Sequence, residues 1–214
     1  PAVDMVRPMW DLDIRRARLG LSAGSRVVGL LPGSRAQEVA LLLPIMLDAA
    51  ARLARRHRDL EFVLPVAAPH LRPAVDRYVA RTTLPVRVTA AVYDAMAEAS
   101  VLMAASGTAT LEAAVMGVPL VVGYRLPALS ALIALAVLST RRISLPNLLA
   151  GREIVPELLQ NDLTPGRLAA QTGDLLESPA RRAAMAADLR AAAAQLGPPG
   201  AVGRAADEVL GMLG

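Results

Sequence analysis

Short apolar runs alternate with longer amphipathic stretches along the first half of the chain. The runs over 26–32, 60–66, 86–89, 101–104 and 119–123 are rich in Val, Leu and Ala and are bounded by Gly, Pro, Ser or polar residues. They do not alternate polar with apolar, so they predict strands buried on both faces. The stretches between them predict helices over 36–57, 69–82, 93–99 and 108–116. Strands and helices in this rhythm predict right-handed βαβ units: an α/β, Rossmann-like parallel sheet. Upstream, DLDIRRARLG over 11–20 predicts a short polar helix ending at Gly20. Beyond residue 123 the rhythm changes. The pattern there predicts an apolar helix over 128–139, an extended piece over 143–146, and helices over 155–161, 165–177 and 179–196. Gly197-Pro198-Pro199-Gly200 is a break, and a last helix is expected over 201–213. The domain reading is a linker with a short helix (1–24), a Rossmann-like domain (25–196) and a C-terminal helix (197–214).

Composition narrows this picture. A chain of 214 residues suffices for one sizeable α/β domain. Hydrophobic residues make up 54% but aromatics only 2%, so the core must be built of Ala, Leu and Val. The net charge is +4 and all 23 basic residues are arginine. They are scattered, which fits solvated faces better than one anionic partner surface. With one Trp, three Tyr and one Phe there is little to stack nucleobases, and no nucleic-acid partner is expected. The absence of cysteine excludes disulfides and thiolate chemistry and suits a cytoplasmic protein. The apolar stretch 126–140 is short of the roughly 20 residues a membrane-spanning helix needs. Followed by Arg141 and Arg142, it predicts either a buried helix or a patch lying on an anionic membrane surface. Pro1 opens the chain in what reads as the middle of a linker.

Four motifs carry candidate chemistry. LPGSR (31–35) follows a strand and precedes a helix, where loops of an open α/β sheet face the ligand crevice. Gly33 lets the backbone come close, Ser34 offers a hydroxyl or a helix cap, and Arg35 offers a forked cation for phosphate oxygens. This is neither the dinucleotide fingerprint nor a P-loop. ASGTATLEAA (105–114) repeats the arrangement: Ser106, Gly107 and Thr108 stand where a strand turns into a helix. Glu112, one turn on from Thr108, is placed to accept the two hydroxyls of a ribose. The alternative is an N-capped helix with an acid balancing its dipole. GYR (123–125) brings Arg125 to the same edge. ISLPNLLAGREIVPELLQ (143–160) holds Asn147, stiffened by the preceding proline and read as a ligand-bonding residue in a loop, although it could equally cap the next turn. Asp11 and Asp13 mimic a D-x-D metal pair but fit a helix start. His57 and His70 lack neighbouring ligands.

LPGSR, ASGTATLEAA, VVGYR and ISLPNLLAGREIVPELLQ, in this order and spacing, resemble the C-terminal half of lipid-A-disaccharide synthases, and PAVDMVRP (1–8) resembles the end of that family's interdomain linker. The resemblance implies a two-domain GT-B glycosyltransferase whose C-terminal, nucleotide-sugar-binding half this is. It implies transfer of 2,3-diacylglucosamine from UDP to 2,3-diacylglucosamine 1-phosphate (lipid X) with inversion. Gly33, Ser34, Arg35, Ser106, Gly107, Thr108, Glu112, Arg125 and Asn147 would bind the UDP-sugar, and residues 91–96, on loop position alone, would read the uracil through backbone groups. Arg35 would stabilise the leaving group, while the base is expected on the N-terminal domain. No cofactor and no metal are expected. Partners would be the two acylated substrates, that N-terminal domain, a membrane surface on the inner face of the inner membrane, and a second copy in a homodimer. The alternatives are another UDP-sugar GT-B enzyme of N-acetylglucosaminyltransferase or epimerase type, or a non-catalytic nucleotide-binding module.

Overall fold

The computed structural model describes residues 6–126, 142–197 and 200. Six parallel strands form one sheet in the order β3-β2-β1-β4-β5-β6. After α1 (Leu12–Arg18), the first three strands are β1 (Arg26–Leu31), β2 (Leu60–Pro65) and β3 (Val86–Thr89). They are joined by α2 (Ala36–Arg56) and α3 (Arg72–Val79), and α4 (Val92–Glu98) leads on. β4 (Val101–Ala105), α5 (Thr108–Met116) and β5 (Leu120–Tyr124) continue on the other side of β1. α6 (Leu145–Ala150), β6 (Glu157–Leu159), α7 (Pro165–Glu177) and α8 (Pro179–Ala194) complete the described chain. The α/β parallel sheet expected from the pattern is therefore present. Its strands are apolar throughout because helices cover both faces: Leu30, Leu64 and Met103 lie in the main core, Val27 and Val63 in a smaller one with Leu19, Leu21 and Ala95. α7 lies against α2, and α8 against α5.

Three expectations need correction. The helix expected over 155–161 is strand β6 followed by a 3-10 turn, Gln160–Asp162. In a short apolar run, periodicity cannot tell a buried helix from a strand, and here β5 offers an edge: Val122, Gly123 and Tyr124 pair with Glu157, Leu158 and Leu159. The extended piece expected over 143–146 gives way to α6, which starts at Leu145 with Pro146 in its first turn, where a missing N–H costs nothing. The helix expected over 69–82 is split: a 3-10 turn, Pro69–Leu71, precedes α3. The helices expected over 128–139 and 201–213 lie outside the described residues. Among the described residues no helix is long and apolar enough to cross a membrane.

α1 is less polar in effect than its sequence. Arg15 is buried and its Nε donates to Glu98 Oε1 at 2.6 Å, while Arg16 donates to Oε2 at 2.8 Å. Asp94, also buried, accepts from the backbone N–H of Met9 and Trp10. Two carboxylates of α4 thus fasten the entering segment to the helix that carries Tyr93.

Candidate functional site

β1 and β4 are neighbours, yet the chain moves outward from them in opposite directions, to β2 and β3 on one side and to β5 and β6 on the other. Connections on the two sides part at this point and leave a crevice beyond the carboxyl ends of the strands. The crevice has a volume of about 510 Å³, within the range of small-molecule sites. Gly33, Ser34 and Arg35 enter it from the loop after β1, and Ser106, Gly107 and Thr108 from the loop after β4. Glu112 on α5 and Tyr93 on α4 face the same space. Seven of the residues singled out in the sequence are thereby brought together.

The first loop is shaped by Glu38. Gly33 has φ +111°, and a Cβ there would collide with the Glu38 side chain. Glu38 Oε2 accepts the backbone N–H of Ser34 at 2.9 Å and of Arg35 at 3.3 Å, and Oε1 accepts from Arg35 Nη1 at 3.1 Å. The helix cap is Arg35, not Ser34, with Glu38 reaching back in a capping box.

The second loop divides its donors. Ser106 donates its N–H to the Gly123 carbonyl at 3.2 Å and its hydroxyl to the Ile143 carbonyl at 3.1 Å. Thr110 turns back to the Gly107 carbonyl through both its N–H and its hydroxyl. Among the described residues, the N–H groups of Gly107, Thr108 and Ala109 meet no acceptor. They lie at the positive end of α5, open to the crevice. Gly107 itself is extended, with φ 163°, and a Cβ there would meet nothing within 4 Å. Neither strain nor crowding within the described chain demands a glycine at this position, whereas close approach of a ligand would.

Glu112 is half-buried, and burial raises its pKa. Among the described residues nothing donates a hydrogen bond to it. Tyr93, which lines the same crevice, has its pKa raised by burial and then by the Glu112 charge. The Tyr93 side chain was not singled out by sequence, because one aromatic at the start of a helix carries no local signal.

Two expected residues stand elsewhere. Arg125 lines an adjoining recess of about 510 Å³ that shares Arg35, Glu38, Ala105 and Ser106 with the crevice. One of its terminal nitrogens donates to the carbonyls of Gln160 at 3.0 Å and Leu163 at 2.8 Å. Asn147 is not in a loop facing ligand. It is fully buried in α6, and all four of its side-chain hydrogen-bond positions are taken. Nδ2 donates to the Val155 carbonyl and to Glu157 Oε1, and Oδ1 accepts from the N–H of Ile154 and Val155. This internal use leaves no side-chain donor or acceptor position over for the ligand bond expected of it. Glu157, in the same motif, also accepts the N–H of Ile143 and both the N–H and hydroxyl of Ser144. It holds the segment whose Ile143 carbonyl takes the Ser106 hydroxyl.

A parallel sheet of this order, with two helix-capping loops meeting at its switch point, defines a Rossmann-like α/β domain. The solved C-terminal domain of a glycosyl transferase group 1 family protein from Francisella tularensis shares this fold: TM-score 0.57 and 11% identity, over 89% of this chain and 94% of that one. The lipid-A-disaccharide synthetase family model matches residues 1–202. The chain is 39% identical over 215 residues to the lipid-A-disaccharide synthase of Geobacter sulfurreducens, covering 100% of this chain and 56% of that protein. It is 44% identical over 208 residues to that of Anaeromyxobacter sp. strain K, covering 96% and 54%. The chain belongs to the lipid-A-disaccharide synthetase family, and it spans about half the length of the curated relatives it matches.

Proposed function

We propose that this chain is the donor-binding part of a glycosyltransferase that makes the lipid A disaccharide, taking its sugar from UDP-2,3-diacylglucosamine. The observation that carries this is the pairing, in one crevice, of helix-terminal amides at Gly107–Ala109 and a half-buried Glu112 carboxylate that find no hydrogen-bond partner among the described residues. Amides at a helix N-terminus suit phosphate. An acid one turn along the same helix suits a ribose diol. The uracil then falls beside Tyr93 and the start of α4, and the second phosphate beside Arg35.

In the reaction, the 6-hydroxyl oxygen of 2,3-diacylglucosamine 1-phosphate attacks the anomeric carbon as the bond to the β-phosphate oxygen breaks. The hydroxyl proton passes to a base outside this chain, and the configuration inverts. Charge grows on the departing UDP, and Arg35 with the α5 amides stabilises it more in the transition state than before it. Acylated substrates would bring the protein to the inner face of the inner membrane. The test is an assay with both acylated sugars. Disaccharide and UDP are expected from this chain joined to the remaining half of the family's length, and no disaccharide from residues 1–214 alone. Product from residues 1–214 alone would place the base within this chain.

A further inference from the structure

The donors of the first loop are not waiting for a ligand. Ser34 N–H, Arg35 N–H and Arg35 Nη1 all donate to one carboxylate, that of Glu38. Arg35 is 81% exposed along its side chain, yet its charge is folded back on its own helix in an i,i+3 pair. Glu38 itself is 28% exposed and borders both the crevice and the adjoining recess, so it has a path to swing away. In the second loop the amides of Gly107–Ala109 meet no acceptor among the described residues. The crevice therefore has one anion position open and one filled from within.

We propose that Glu38 is a displaceable internal anion that competes with the second phosphate of a nucleoside diphosphate and so keeps the hold on the product weak. The proposal rests on the functional reading above. The first phosphate settles on the open amides of α5 without disturbing Glu38. The second phosphate needs the same donors that Glu38 holds, and two anions cannot share them at contact distance. A phosphate carries more charge and more acceptor oxygens than a carboxylate, so it takes the amides and the fork of Arg35 while Glu38 turns to solvent. When UDP leaves, Glu38 closes on the same donors again. The loop is never left with bare amides, and each departure of UDP is assisted by a returning carboxylate.

The experiment is calorimetric titration of UDP and of UMP into the 214-residue chain and its Glu38→Gln variant, with thermal melts of both proteins. Glutamine keeps a neutral acceptor for the Ser34 and Arg35 amides, so the helix cap is retained and folding is checked by the melt. UDP is expected to bind the variant about tenfold more tightly, the scale of one charge-assisted hydrogen bond no longer contested. UMP is expected to bind both proteins equally. Unchanged or weaker UDP binding by a folded variant would show that Glu38 only caps α2 or positions Arg35, and would overturn the proposal alone. An equal gain for UMP and UDP would reflect no more than one negative charge removed nearby, and would also overturn it. UDP binding to neither protein would overturn the functional reading and this proposal together.

Discussion

Glu112 is held at a loss by the folded protein. Burial raises its pKa and no described residue donates to it in return. A carboxyl whose folded pKa is raised contributes stability that is complete below its unfolded pKa and fades as pH rises through the folded value. At neutral pH the ionised side chain is therefore a cost to stability, and Glu112→Gln should melt at the same temperature as the wild type or higher. The same variant should bind UDP less well, because an amide is a poorer acceptor for two ribose hydroxyls. Titration against pH sharpens the test. Wild-type UDP affinity should begin to fall, on acidification, above the ordinary carboxylate range, over and above the titration of UDP itself. Glu112→Gln should lack that component, and identical pH profiles would remove Glu112 from the site. That Gly33, Arg35, Gly107 and Glu112 stand at the carboxyl edge of the sheet was legible in the sequence, because each lies at a fixed offset from the end of an apolar run. Glu38 was not, since an acid in the first turn of a helix reads as a dipole partner, and its chemistry depends on which way it folds back.

At the scale of elements, the segment from Ile143 to Leu159 shows how long-range packing gives a motif an internal use that its local pattern does not display. Asn147 after Pro146 looked like a stiffened ligand contact. Its true neighbours, Ile154, Val155 and Glu157, are brought beside it by strand β6, which the sequence pattern presented as a helix. A three-residue strand at a sheet edge is too short to show a period of two. The consequence is a stability claim. Asn147→Ala leaves buried amides of Ile154 and Val155 and the Val155 carbonyl without partners, and should cost about 3 kcal/mol, several unsatisfied groups being involved. Urea unfolding measures it. A variant as stable as the wild type that nevertheless loses UDP would return Asn147 to the list of ligand contacts.

At the scale of the whole molecule, the strand order was not legible, but its consequence was. Apolar runs alternating with helices imply a parallel sheet, while the reversal between β1 and β4 that makes the crevice depends on long-range pairing that no local pattern records. The resemblance of four motifs supplied the family, and the structure shows why two of them belong together: LPGSR and ASGT follow the two adjacent central strands. The buried pairing of Arg15 and Arg16 with Glu98 was invisible for the same reason, since its partners are more than eighty residues apart. The central claim is that the switch-point crevice holds a nucleoside diphosphate through Arg35 and Glu112. The direct measurement is isothermal titration of UDP into the wild type, Arg35→Ala and Glu112→Ala. Each variant should lose about 1.5–3 kcal/mol of binding free energy, as expected for hydrogen bonds to charged groups, or roughly ten- to hundredfold in affinity. UDP affinity unchanged in both folded variants would contradict the account.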